Sequence, residues 1–217
     1  LGGGIVINEV MPSPRIDESN GFDTDGNGVF DNRDEYIELY NLSGTSIDIG
    51  GWQLWDSSAG LWFTFPLNST VGPGGYALVI IGVQDGGTLP NLPPGSLTFD
   101  AAQEGQILTV SGDNITLLDP GNTGAEQYIQ ATYDDPTDDP TAYAGFPATA
   151  TRVGDVESFI AGTIPQAVSL TRSPAGDTNI VRHDTLFTAG SPGTAPDTVN
   201  TPPTVVATTP ADNAVDV

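Results

Sequence analysis

Glycine and proline interrupt this chain so often that no apolar stretch outlasts a strand. The sequence holds 27 glycines and 18 prolines in 217 residues, about a fifth of the chain where roughly 12% is usual. In a helix interior glycine costs about 1 kcal/mol and proline about 3 kcal/mol, so a mainly helical fold is excluded. Only residues 101–106 suit a single short helical turn. The remaining pattern is a series of short apolar runs separated by turn residues: 5–11, 35–40, 52–55, 61–65, 76–81, 106–110, 115–118, 127–133, 167–171 and 180–187. In EYIELY, Ile37 and Leu39 share one face while Tyr36, Glu38 and Tyr40 share the other, the period of two that a strand requires. Residues 76–81 are apolar on both faces and are expected to form a central strand. Residues 106–110 and 115–118 flank Ser111-Gly112-Asp113-Asn114, a hairpin-like loop. About nine strands at close spacing predict an all-β sandwich or barrel.

Charge and composition narrow the function. Lys+Arg number five, all arginines, against 28 Asp+Glu, a formal net charge of -23. A nucleic acid would be repelled by such a surface. The chain has no cysteine, which excludes disulfides and thiolate metal sites. A 37% hydrophobic content with three Trp, six Tyr and eight Phe suffices for one packed domain. No apolar run approaches the roughly 20 residues of a membrane helix, so membrane insertion is not expected. The absence of Cys and Lys with abundant Asp fits a secreted or cell-surface location.

Two segments break the strand rhythm: 13–34, rich in Asp, Asn and Gly, and 134–166, which contains DDPTDDP. Both are expected to be surface excursions. From residue 191 the composition turns to Pro, Thr and Gly. The sandwich is expected over residues 1–196 and a semi-rigid linker over 197–204. Residues 205–217, VVATTPADNAVDV, resume a strand-then-turn pattern, as if opening a second domain.

The sharpest chemical signal is DTDGNGVFDNRD, residues 23–34. Asp23, Asp25 and Asn27 occupy loop positions 1, 3 and 5, and Gly28 at position 6 permits a sharp turn. Val29 at position 7 offers a backbone carbonyl, with Asp31 at position 9 and Asp34 at position 12. This is the spacing with which a twelve-residue loop collects oxygens around Ca2+, and it resembles the loops of dockerins and other extracellular calcium repeats. Position 12 is Asp rather than Glu, and the segment that follows alternates as a strand, so no helix-loop-helix is expected. The alternative is a solvated Asp/Gly turn. If calcium binds, it pins the insertion ahead of the second long strand. The run Asp134, Asp135, Asp138 and Asp139 lacks a glycine-assisted turn and reads as a solvated loop.

Catalytic signatures are missing. His183 is the only histidine, and neither G-x-S-x-G nor H-E-x-x-H occurs. Among 28 acids, carboxylate pairs arise by chance. Gly72-Pro73-Gly74-Gly75 precedes a strand and reads as a turn, not a phosphate cradle. The cluster of Trp52, Trp55, Trp62, Phe63 and Phe65 reads as core, with a sugar-stacking platform as the alternative. Asn8, Glu9 and Glu38 lie inside apolar strands, so they need bonded partners. A structural network, with an arginine such as Arg172, is expected; a ligand site is the alternative.

IVINEVM, DEYIELYNLSG, IDIGGWQLWD, FTFP, VGPGGYALVI, ITLLDPGN, SLTRSPAGD and SPGTAP follow one another from residue 5 to residue 196. In this order they resemble the lamin tail domain in its bacterial form, over about residues 3–196. The resemblance implies an immunoglobulin-like β-sandwich with no catalytic residues of its own. It further implies a module of a secreted or surface multidomain protein, beside a hydrolase or nuclease. Residues 201–217 resemble the start of a bacterial immunoglobulin-like repeat. The expected partners are other domains of the same polypeptide, with an extracellular protein or polysaccharide beyond them. The competing function is carbohydrate or surface adhesion through exposed aromatics or the calcium loop.

Overall fold

The computed structural model describes residue 1 and residues 3–121, 124–160, 166–183 and 190–193. The expected linker and second-domain opening, residues 197–217, lie outside the described residues, as do 184–187 of the last expected strand. Strand β1 (Ile5–Met11) is followed by a small ribbon of β2 (Arg15–Asp17) and β3 (Asn20–Gly21), then by β4 (Tyr36–Asn41). Next come β5 (Ile47–Asp48), β6 (Gln53–Asp56), β7 (Gly60–Thr64), β8 (Thr70–Val71) and β9 (Tyr76–Ile80). The series ends with β10 (Leu97–Asp100), β11 (Asp113–Pro120), β12 (Glu126–Tyr133), β13 (Thr151–Arg152), β14 (Glu157–Ile160), β15 (Leu170–Arg172) and β16 (Ile180–Arg182). Two short 3-10 turns, Asn32–Asp34 and Pro140–Ala142, lie between strands.

Two mixed sheets stack as the expected sandwich. The first runs β10-β9-β4-β1-β15-β16; the second runs β13-β12-β11-β6-β7, with β14 also pairing with β12. Alternation decides which side chains meet between them. Ile5, Ile7, Val10, Ile37, Leu39, Ala77 and Val79 of the first sheet pack with Leu54, Ile115, Leu117, Ala131 and Tyr133 of the second, around a fully buried Trp52. Burying a side chain of this size contributes about 1.5–3 kcal/mol, so this layer dominates the stability of the module. The register of β1 against β4 shifts between Ile7 and Glu9. That bulge lets both Ile7 and Val10 reach the core.

The outer faces are covered as well. Met11, Tyr36, Leu78 and Ile80 cluster with Phe22, Val83 and Leu92 over the first sheet. Trp55, Leu118 and Tyr128 meet Phe146 and Ala150 over the second, with the Trp55 and Phe146 rings edge-on at 5.3 Å. The polar excursions are thus partly folded cover. The 134–166 segment supplies Phe146 and Ala150 and adds β13 and β14, both parallel to β12. The expected strand over 106–110 is not formed. Glu35 accepts the amides of Ile107 and Leu108, at 3.0 and 2.9 Å, and Asp113 accepts that of Thr109 at 2.7 Å. With those donors taken by carboxylates, no ladder forms, and the expected hairpin at 111–114 is replaced by pairing of β11 with β12 and β6. The helical turn expected at 101–106 is also absent.

Candidate metal centre

The loop at residues 23–34 folds because its carboxylates collect its own amides. Asp23 Oδ1 accepts the Gly26 N–H at 2.7 Å, and its Oδ2 accepts that of Gly28 at 2.8 Å. Gly28 sits at φ +83°, a left-handed conformation that glycine adopts freely. Asn27 Oδ1 accepts the Val29 N–H at 2.6 Å. Asp34 closes the loop: Oδ1 accepts the Thr24 N–H at 2.9 Å and Oδ2 that of Asp31 at 3.1 Å.

These bonds bring Asp23, Asp25 and Asp34 together, each offering an oxygen within 4.8 Å of the others. Asp25 and Asp34 are buried and Asp23 is half-buried. Burial pushes the Asp34 carboxyl up to about 6, opposed by the amides it accepts and reinforced by Asp25 and Asp23 nearby. Next to it, burial pushes Glu35 up to about 9 despite two accepted amides. A hard divalent cation suits such a donor set, being all oxygen, acidic and short of positive charge. Asn27 lies beside the three, its Nδ2 3.5 Å from Asp25 Oδ2. Asp31 is engaged elsewhere. It caps the 3-10 turn Asn32–Asp34 through the Arg33 N–H, pairs with the Arg33 guanidinium at 3.3 Å and accepts Gln84 Nε2 at 3.0 Å.

A second segment that the spacing did not disclose supports the loop. The Gln84 N–H donates to Asp25 Oδ2 at 2.7 Å, and the Thr88 N–H donates to the Asp25 carbonyl at 2.8 Å. Arg33 reaches Gln84 Oε1 at 2.6 Å. A side chain at Gly87 would collide with the Asp25 carboxylate. The Asp85-Gly86-Gly87 turn was the visible clue, yet nothing in sequence tied it to a loop some 60 positions earlier.

The other polar candidates resolve differently. Asn8 Nδ2 donates to Glu38 Oε1 at 2.7 Å, and Asn8 Oδ1 accepts the Gly176 N–H at 2.8 Å. Glu9 accepts the Tyr36 hydroxyl, together with the Ser191 N–H at 2.9 Å and Oγ at 2.6 Å. Arg172 bonds instead to the carbonyls of Ile7 and Asp177, at 2.6 Å each, and pairs with Glu157. In the acidic run, Asp135 accepts Asn114 Nδ2 at 3.3 Å and Asp139 caps the turn Pro140–Ala142. Trp52, Trp55 and Trp62 are all buried, so none of them offers a sugar platform. His183 is buried, its N–H donating to the Ser169 carbonyl. Among the described residues no helix is long and apolar enough to cross a membrane.

A family model described as Lamin Tail Domain matches residues 2–133, more than half of the chain. No curated protein matches it. The matched span ends with β12, while β15 and β16 complete the first sheet beyond it.

Proposed function

The chain belongs to the lamin tail domain family, whose members are non-catalytic immunoglobulin-like structural domains, and from that premise we propose a calcium-stabilised structural and interaction module. Its setting is a secreted or cell-surface multidomain bacterial protein, in which it accompanies a hydrolase or nuclease domain. It works by holding its neighbours and presenting a surface, while the chemistry belongs to other domains of the same polypeptide. An extracellular protein or polysaccharide is the external partner.

One observation carries the calcium part of this reading: the carboxylates of Asp23, Asp25 and Asp34 converge within a single twelve-residue loop. Three acids placed this close repel one another, and a divalent cation reverses the sign of that interaction. With Asn27 and the Val29 carbonyl as further oxygens, the loop would be drawn tight against Gln84 and Thr88. The cation supplies cohesion, not catalysis. Calorimetric titration of the metal-free protein with calcium tests it. One saturable site is expected in the native chain and none after Asp25→Asn; absence of any binding heat and any change in loop amide shifts would defeat it.

A further inference from the structure

Thr116 on β11 and Gln130 on β12 stand opposite each other in register and are 0% and 1% exposed. Thr116 Oγ1 and Gln130 Oε1 have no hydrogen-bond partner among the described residues, and a buried polar atom left so costs free energy. Residues paired directly across two strands share a face, here the outer face that the acidic run 134–139 covers. Asn114, two positions before Thr116 and on that same face, clamps the run. Its Nδ2 donates to Asp135 Oδ2 at 3.3 Å and to the Pro136 carbonyl at 2.9 Å, and its Oδ1 accepts the Asp138 N–H at 3.2 Å. Thr132 Oγ1 donates to the Asp135 carbonyl at 2.9 Å. Gln130 Nε2 reaches Asn114 Oδ1 at 3.1 Å and the Asp138 carbonyl at 3.0 Å. Oε1 belongs to the same small planar amide, so it too lies against Asp138.

Asp138 brings negative charge to these two oxygens. Its half-buried carboxylate meets the Tyr143 hydroxyl at 3.3 Å, long for an O–H donor. Neither Asp135 nor Asp138 joins an ion pair among the described residues; the arginine pairs there are Arg33 with Asp31 and Arg172 with Glu157. We propose that Asp138, Gln130 and Thr116 hold a hard cation of the calcium type between the run and the second sheet. Asp138 supplies a carboxylate, Gln130 Oε1 and Thr116 Oγ1 supply neutral oxygens, and water completes the roughly six to eight oxygens that calcium takes. A water molecule alone would donate to the two buried oxygens and leave the carboxylate uncompensated. A cation answers all three, since each offers a lone pair and none has to donate. With a single carboxylate the affinity falls in the weak range of extracellular modules, about 10⁻⁴–10⁻³ M. The cation fastens the start of the segment that goes on to supply Phe146, Ala150, β13 and β14. The site shares no residue with the loop at 23–34 and does not depend on the metal reading there.

Calcium titration of the full chain followed by NMR tests the site, because each metal reading has its own reporters. Here they are the Gln130 side-chain NH2 and the Asp138 amide; in the loop they are the amides of Gly26 and Gly28. In the native chain the first two should shift along a curve that saturates by roughly 10 mM calcium. Sodium chloride at matched ionic strength should not reproduce the curve. Asp138→Asn should abolish it and leave the response of Gly26 and Gly28 as in the native chain. Thr116→Val keeps the shape and removes the hydroxyl; it should weaken calcium binding at Gln130 roughly tenfold without lowering Tm in chelator. The proposal is overturned if the Gln130 and Asp138 signals stay still, drift linearly without saturating, or follow sodium equally. It is overturned as well if calcium binding survives Thr116→Val unchanged, or if Gln130 shows a cross-peak to bound water and no answer to calcium. A response at Gly26 and Gly28 alone sinks this site and leaves the loop reading standing.

Discussion

Calcium should raise the melting temperature of this module, and its removal should lower it. The carboxylate oxygens of Asp23, Asp25 and Asp34 lie within 4.8 Å of one another. At that separation and an effective dielectric of about 20, each like-charged pair costs about 3 kcal/mol, less for pairs with the half-exposed Asp23, where water and salt screen. The loop thus stores repulsion that a bound divalent cation would relieve. At a free calcium concentration 100 times Kd, mass action adds about 2.7 kcal/mol. For a chain of this size each kcal/mol moves Tm by about 2–4 °C, so the expected rise is about 5–10 °C. Differential scanning calorimetry in calcium and in chelator at neutral pH measures it. Asp25→Asn supplies the control. Because Asp25 also accepts the Gln84 amide, the variant is compared with itself in the two buffers, which cancels any cost to the metal-free fold. The reasoning fails if the native chain melts within about 1 °C in both buffers, or if the variant keeps the increment.

Three further outcomes are expected. Arg172→Met leaves the buried Ile7 carbonyl without its donor and frees Glu157; it should cost about 3 kcal/mol in urea unfolding, whereas a change below about 0.5 kcal/mol would show that the arginine is dispensable. Burial, followed by the Asp56 carboxyl beside it, pushes Asp113 up to about 8; a carboxyl that binds its proton more tightly when folded makes stability fall as pH climbs from about 4 towards 8, and urea melts should show that slope flattened in Asp113→Asn. A Cβ at Gly75 would sit 2.9 Å from the Gly95 carbonyl carbon, while one at Gly105 meets nothing within 4 Å; Gly75→Ala should cost about 1–3 kcal/mol and Gly105→Ala less than about 0.5 kcal/mol, so equal melting of the two would contradict the close approach.

Alternation was enough to read the long strands. Ile37 and Leu39 point inward, and 76–81 is buried on both sides as a central strand should be. What alternation cannot convey is which backbone donors are already spent. Residues 106–110 look like a strand, yet Glu35 and Asp113 hold their amides, and those acids belong to other parts of the chain. Glu38, set inside an apolar strand, needs bonded partners, yet one of them, the Gly193 N–H, lies more than 150 positions away, where no local pattern could name it. In the acidic loop, spacing marks Asp23, Asp25, Asn27, Val29, Asp31 and Asp34 alike, and among these the carboxylates of Asp23, Asp25 and Asp34 converge. Spacing could not separate them from Asp31, because the partners that draw Asp31 aside include Gln84, on a different loop.

The place of β1 in the first sheet bears on how the chain acquires its shape during synthesis. β1 emerges before every other strand and lies between β4 and β15. One edge gains its neighbour early; the other waits until Leu170–Arg172 has left the ribosome, and Glu9 waits longer still for Ser191. Until those residues arrive the nascent module carries an open strand edge beside an unfinished acidic pocket, the arrangement most prone to pairing with the wrong chain. The heavy negative charge of the sequence works against that encounter, since two such nascent chains repel before their edges can meet.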